Sequence, residues 1–174
     1  IRPVLQKPTA NSALDDVARS HIDGIEHMLR LESVVEGRSD LSKLVIHGDY
    51  APWNVLFRSG QSPFVLDFNA ARLDLKIYDV VLATFWFAWR GDRLDQKRAL
   101  AFQSGYSETG QLRAVDIEMA SPVFRWVTAR AVAERLRRHY QEHVLLRNPR
   151  GVERFFKMCI FAAQHPQRLV DGLK

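Results

Sequence analysis

The segment VIHGDYAPWNVLF, residues 45–57, places polar side chains where the hydrophobic pattern predicts the end of a buried strand. His47, Asp49 and Asn54 lie within eight residues, directly after a β-branched apolar run. Polar groups at such a position need hydrogen-bond partners or a ligand, because burial without partners is costly. We call residues 47–54 the polar loop.

The rest of the chain predicts an α+β fold that is mainly helical. Apolar residues recur at helical spacing in long segments bounded by Gly, Asp or Pro, and short apolar runs flank the polar loop. The two strands after the polar loop are joined by the turn RSGQSP and form a predicted hairpin. The predicted helices cover residues 12–36, 80–90, 96–105, 122–146 and 149–165, and the predicted strands cover residues 44–46, 54–57 and 64–68.

A third oxygen-bearing side chain is expected beside the polar loop. Asp67 follows the second hairpin strand, and strands of about four residues that run out and back bring the residue leaving the hairpin to the edge where the loop enters it. Asp49, Asn54 and Asp67 would then form a cluster of the hard oxygen ligands that Mg²⁺ prefers. A divalent cation would also relieve the repulsion between two aspartates. With Asn54 and Asp67 as metal ligands, Asp49 stays free to act as a general base.

Bulk composition narrows the setting without deciding the function. The 174 residues suit one domain, and 47% hydrophobic and 26% charged residues are ordinary globular values. A single cysteine, Cys159, fits a reducing compartment, and no apolar run approaches the roughly 18 residues of a membrane span, so we expect a cytoplasmic protein. The net charge of +5 fits either nucleic acid or a phosphate-bearing small substrate.

HGDYAPWN, with LDF downstream, resembles the catalytic loop and the metal-binding motif of the protein-kinase fold. The pattern HGDxxPxNVLF is similar to the aminoglycoside phosphotransferase and choline kinase superfamily, which includes a kinase-fold homoserine kinase. The resemblance implies Asp49 as the catalytic base, Asn54 and Asp67 as metal ligands, and His47 and Asp79 as residues that orient the loop. It also implies Mg²⁺, with ATP as the phosphoryl donor.

The resemblance implies that residues 1–174 form the C-terminal lobe of a kinase-like phosphotransferase, with short β-hairpins carrying the catalytic and metal-binding loops. We find no G-x-G-x-x-G or V-A-I-K-like strand before His47, so we expect the N-terminal nucleotide lobe to be absent and the chain to be inactive alone. The expected partners are a nucleotide and a small-molecule alcohol, with no membrane. The sequence does not identify the acceptor.

Two other functions stay open. A non-catalytic kinase-like scaffold could bind a partner or nucleic acid through basic helices. A Mg²⁺-dependent phosphohydrolase shares the metal chemistry but usually needs more carboxylates or histidines. We interpret the basic run from Arg135 to His139 as the solvated face of a helix. We interpret Trp86 as a core residue, and Asp116 and Glu118 as exposed acids at a helix start.

Overall fold

The computed structural model describes residues 12–110, 112–142 and 149–173 of the chain. These ranges contain α-helices, short strands and three 3₁₀ turns. The helices are α1 (Ser12–Leu29), α2 (Leu31–Glu36), α3 (Lys76–Ala88), α4 (Gln96–Thr109), α5 (Ala114–Glu118), α6 (Ala120–Gln141) and α7 (Pro149–Gln164). The strands are β1 (Lys43–Ile46), β2 (Val55–Leu56), β3 (Phe64–Val65), β4 (Arg72–Leu75), β5 (Trp89–Arg90) and β6 (Arg93–Leu94).

The mainly helical α+β prediction is confirmed. Each sheet in the described part of the chain is a single antiparallel pair, β1 with β4, β2 with β3, and β5 with β6. The β2–β3 pair is the predicted hairpin. The β1–β4 pair is a longer-range pairing that the apolar pattern did not indicate, because Arg72 and Asp74 interrupt the apolar residues of β4.

Helix α3 lies at the centre of the core. Its sequence KIYDVVLATFWFA is apolar on almost every side, a pattern typical of a helix that is covered all round. Phe85 stacks on Phe124 of α6 with ring centroids 3.9 Å apart, and both side chains are fully buried. Cys159 on α7 lies 2.6 Å from the Thr128 hydroxyl of α6, and burial raises the pKa of this thiol to about 11. Helices α3, α6 and α7 therefore pack into one hydrophobic core.

Several predicted boundaries are wrong for local reasons. The strand predicted from residue 54 begins at Val55, because Pro52–Asn54 form a 3₁₀ turn. The strand predicted to reach residue 68 ends at Val65, because Asp67 adopts a left-handed backbone with φ of 58°. The predicted first helix is divided at Arg30, and the helix predicted to begin at residue 80 begins at Lys76. The predicted end of the 122–146 helix lies partly outside the described residues.

The prediction that Asp116 is an exposed acid is wrong, because its side chain is buried. Its carboxylate accepts hydrogen bonds from the Ser42 backbone N–H at 2.8 Å, the Ser42 hydroxyl at 2.6 Å and the Arg113 backbone N–H at 3.1 Å. Burial acts to raise the pKa of Asp116, but these hydrogen bonds outweigh it and hold the pKa below its usual value. The carboxylate thus ties the residue before β1 to helix α5.

No helix in the described ranges combines the length and the apolar composition that a bilayer crossing requires.

Asp116→Asn should lower the free energy of unfolding by about 1–3 kcal/mol at pH 7, since a neutral amide cannot accept all these hydrogen bonds. A carboxyl whose pKa is depressed by folding stabilises the fold above its ordinary pKa of 3.8 and loses that contribution as the pH falls through the folded value. The difference between wild type and variant should therefore shrink below about pH 4 in urea unfolding. Glu118→Gln, on the same helix but exposed, is the control. A gap independent of pH would contradict this assignment.

Candidate functional site

The first turn of α3 binds the backbone at the start of the polar loop. Asp79 accepts hydrogen bonds from the backbone N–H groups of His47 at 2.6 Å and Gly48 at 2.9 Å. These groups follow the last residue of β1, so no strand partner satisfies them. Burial raises the pKa of Asp79, and the two N–H donors only partly offset that effect. The half-buried carboxylate thus replaces ladder hydrogen bonds at the end of the strand.

His47 joins the polar loop to the segment that carries Asp67. Its Nδ1 accepts a hydrogen bond from the Asp49 backbone N–H at 3.2 Å, so its Nε2 carries the proton and donates to the Leu66 carbonyl oxygen at 2.8 Å. The Leu66 N–H in turn donates to the Asn54 carbonyl oxygen at 2.8 Å. Both backbone groups of Leu66 are therefore bound by the polar loop, which fixes the position of the next residue, Asp67.

Asp49 and Asn54 are in direct contact. The Asn54 amide nitrogen donates to the Asp49 carbonyl oxygen at 2.9 Å and to Asp49 Oδ2 at 3.0 Å, and Trp53 Nε1 donates to the same Oδ2 at 3.3 Å. In the part of the chain that the structure describes, no protein donor is bonded to Asp49 Oδ1. Asn54 is buried, and its use as a donor leaves its amide oxygen available as a ligand.

Asp67 lies beside this pair with an exposed carboxylate. It is the one non-glycine residue in the described ranges with a left-handed backbone, at φ of 58° and ψ of 71°. A residue held in that region costs of order 1–3 kcal/mol, and such strain concentrates at functional sites. Asp67 Oδ1 accepts a long hydrogen bond of 3.4 Å from the Asn69 N–H. Most of its capacity to bind a cation or a donor is therefore unused.

The structure thus places the five predicted site residues around one region, with Asp67 joined to the others through the backbone of Leu66. Among the described residues, no group of three or more His, Cys, Asp or Glu side chains could hold a metal by itself. The available donors are one carboxylate from Asp67 and one amide oxygen from Asn54. This set suits Mg²⁺, which usually binds through one or two carboxylates together with waters and substrate phosphates.

Gly48 permits the close approach of the polar loop to β4. Its φ is +80°, and a Cβ atom at this position would lie 2.6 Å from Arg72 Nη1 and closer still to the carbonyl oxygen of Ala70. Backbone and neighbours both require glycine at this position.

Two arginines that pack on aromatic rings, one of them within electrostatic reach of Asp49, were not predicted as site residues. Arg135 on α6 lies over the Phe155 ring at 4.6 Å, and the negative charge of Asp49 acts on its guanidinium. Arg154 on α7 lies 5.6 Å from the Trp86 ring centroid. Both come from helices distant in sequence, so no local motif marks them.

Neighbouring members of the basic run have other roles. Arg137 and Arg138 are exposed and form ion pairs with Glu134 and Glu142, whereas His139 is buried, so the solvated-face interpretation is wrong for His139. Carboxylates on the same helix therefore already compensate much of its positive charge.

A cavity of about 620 Å³ lies between the end of α1, the start of α3 and α6. Its lining includes Arg72, Tyr78 and Arg137 but none of Asp49, Asn54 and Asp67. Arg72 and Arg137 are themselves paired, with Asp74 and Glu134. We therefore assign the chemistry to the polar loop and not to this cavity.

A family model described as "Phosphotransferase enzyme family" matches residues 8–115, which is more than half of the chain. The chain belongs to the phosphotransferase enzyme family. The matched range includes the polar loop, Asp67 and Asp79, and the resemblance inferred from HGDYAPWN is thereby confirmed at the level of the family. A search of curated proteins gave no match. Phosphotransferases of this family generally use ATP and Mg²⁺.

Gly48→Ala should destabilise the chain by about 1–3 kcal/mol or more, through left-handed backbone strain and the contact with Ala70 and Arg72. Gly60→Ala is a matched control, because Gly60 has φ of +70° but no atom within 4 Å of its added Cβ. The control should lose only the strain term, about 1–2 kcal/mol. Equal losses in urea unfolding would show that the close approach at Gly48 is unimportant.

Proposed function

We propose that this phosphotransferase moves the γ-phosphoryl group of ATP to a hydroxyl of a small molecule, with Asp49 as the catalytic base. The observation that carries the proposal is the environment of Asp49. One carboxylate oxygen is fixed by Asn54 and Trp53, and the other is unbonded within the described residues. A carboxylate held in this way can accept the proton of an alcohol that approaches its free oxygen.

Asn54 and Asp67 would hold Mg²⁺. The exposed carboxylate of Asp67, its strained backbone and the available amide oxygen of Asn54 fit a cation that takes its remaining ligands from waters and phosphates. When bound, the ion would neutralise charge on the transferred phosphoryl group. The amide group of Asn54 can serve both roles, since its nitrogen orients Asp49 and its oxygen would be available to the metal.

His47 and Asp79 act as positioning residues. His47 fixes Asp67 through Leu66, and Asp79 fixes the His47–Gly48 backbone against the core helix α3. Because positioning and charge stabilisation supply most of the acceleration in phosphoryl transfer, the rigidity of these connections contributes to rate without touching substrate.

We further propose that the chain acts as the C-terminal lobe and works with a nucleotide-binding lobe. Most of its exposed large apolar side chains lie close together in sequence, on and around β1 to β4. An exposed apolar patch of this kind marks an interaction site. These residues are Leu44, Val45, Trp53, Leu56, Phe57, Phe64, Val65, Leu66, Phe68 and Leu73. These side chains belong to the segments that carry the polar loop and Asp67, where a second lobe would enclose the nucleotide.

The scaffold alternative has less support. In the basic run of α6, Arg137 and Arg138 are already paired with Glu134 and Glu142, which reduces the positive charge that this run could offer to nucleic acid.

Asp49→Asn should lower kcat by about 10²–10⁴-fold, since an amide of the same size cannot accept the proton. Nucleotide affinity should stay within about twofold, because Asp49 is not a proposed metal ligand. The measurement is ATP-dependent phosphoryl transfer by the full protein with its nucleotide lobe. Asp92→Asn, which removes an exposed carboxylate paired with Lys157, is the control. Wild-type turnover in Asp49→Asn would refute the base assignment.

Asp67→Ala should weaken nucleotide binding in the presence of Mg²⁺ by tenfold or more and leave metal-free binding unchanged, because only the metal-bridged interaction is lost. Isothermal titration calorimetry with a non-hydrolysable ATP analogue, with Mg²⁺ and with EDTA, separates the two contributions. The comparison variant is Asp49→Asn, which should keep the Mg²⁺ dependence. An Asp67→Ala protein with intact Mg²⁺ dependence would exclude the ligand role.

A further inference from the structure

A continuous row of contacting aromatic rings leads from Asp49 to two arginines, beginning at the exposed Trp53 and ending at the buried Phe155. Trp53, which is exposed and donates to Asp49, meets Trp86 edge to face at 4.9 Å, and Trp86 meets Phe155 at 5.5 Å. Arg154 packs on Trp86, and Arg135 packs on Phe155. The two cationic groups therefore lie along the same row of rings as Trp53, which contacts the proposed base.

These arginines differ from three neighbouring basic side chains of α6 and α7. Arg137, Arg138 and Lys157 each form an ion pair with a carboxylate. Arg135 donates to the backbone carbonyl of Ala131 at 3.0 Å, and neither it nor Arg154 has a carboxylate within 4.0 Å in the described ranges. Aromatic rings hold their guanidinium groups in place, so their positive charge stays available to a ligand.

Two further observations indicate that a ligand belongs here. Arg154 Nε is buried and has no hydrogen-bond partner in the described part of the chain. A buried, unsatisfied donor is unfavourable unless a ligand or water completes it. Arg135 is close enough for the charge of Asp49 to act on it, yet no direct ion pair joins them in the described structure. The base and the cation are therefore neighbours that do not contact each other directly.

From this arrangement we propose that the acceptor is an anionic alcohol, with a carboxylate or phosphate bound by Arg135 and Arg154 while its hydroxyl faces Asp49. The inference rests on the proposed function. The exposed ring of Trp53 and the half-buried ring of Trp86 would cover the carbon skeleton between the two polar ends. Guanidinium groups match the planar geometry of carboxylates and phosphates and bind them through paired N–H donors.

The same charges disfavour a cationic acceptor. An ammonium group placed between Asp49 and Arg135 would be attracted by the carboxylate and repelled by the guanidinium. The repulsion would lower the affinity for a cationic acceptor. The arginines therefore select among acceptors by charge and leave the phosphoryl-transfer chemistry to Asp49, Asn54 and Asp67.

The test compares four three-to-five-carbon alcohols that differ in charge: glycerate, glycerol 3-phosphate, glycerol and choline. Binding to the full protein is measured by isothermal titration calorimetry, with wild type and with the variants Arg135→Gln, Arg154→Gln and Arg135→Lys. Arg138→Gln is the matched control, because Arg138 is an exposed arginine of the same helix that pairs with Glu142. Circular dichroism melting curves check that each variant folds.

At least one of the two anions should bind tenfold or more tightly than glycerol and choline. Arg135→Gln and Arg154→Gln should each raise its Kd about tenfold, since each removes a charge-assisted hydrogen bond. Arg135→Lys should recover part of the affinity, and Arg138→Gln should have no effect. Comparison of glycerate with glycerol 3-phosphate shows whether the site takes a carboxylate or a phosphate. Binding without preference for charge, or an equal loss in Arg138→Gln, would overturn the proposal.

A phosphoryl-transfer assay with the same alcohols separates this inference from the proposed function. Asp49-dependent transfer to choline or glycerol in preference to the anions would leave the kinase function standing and overturn the anionic acceptor. Arginine-dependent anion binding without ATP-dependent transfer to any alcohol would support the anion site and contradict the kinase function.

Discussion

The two hydrogen bonds accepted by Asp79 connect the chemistry of this protein to its core. They satisfy the first N–H groups beyond β1 and fix them to a helix that is apolar on almost all sides. Because α3 is packed against α6, the polar loop is anchored to the hydrophobic core. Partial burial raises the pKa of Asp79, and the two hydrogen bonds from the polar loop only partly offset that effect.

From that anchor, the loop determines where Asp67 lies. The His47 ring binds the carbonyl oxygen of Leu66, and the Asn54 carbonyl accepts a hydrogen bond from the Leu66 N–H. Asp67 follows immediately, in a left-handed conformation that ends the hairpin strand and turns the carboxylate outward. One connected network of hydrogen bonds therefore joins Asp49 to Asn54 and joins Asn54 to Leu66, the residue before Asp67.

The positive charge that this protein can offer to a ligand depends on local ion pairing rather than on the net charge of the chain. The formal net charge of +5 is compatible with several kinds of partner. In the folded chain, Arg137 and Arg138 form ion pairs with glutamates. Arg135 and Arg154 instead pack against the rings of Phe155 and Trp86. Which arginines can meet a ligand follows from the side chains that surround each one. A basic composition gave no means of distinguishing them.

The sequence by itself determined the helical α+β class, the β2–β3 hairpin and the identity of the polar residues, because helical periodicity, turn residues and the HGDYAPWN spacing are local properties. It did not indicate the β1–β4 pairing, the burial of Asp116 or the packing of Arg135 on Phe155 and of Arg154 on Trp86. Each of these depends on segments roughly 20 to 75 residues apart that meet only when the helices pack. Local pattern therefore specified which groups could do chemistry, and packing decided which charges surround them.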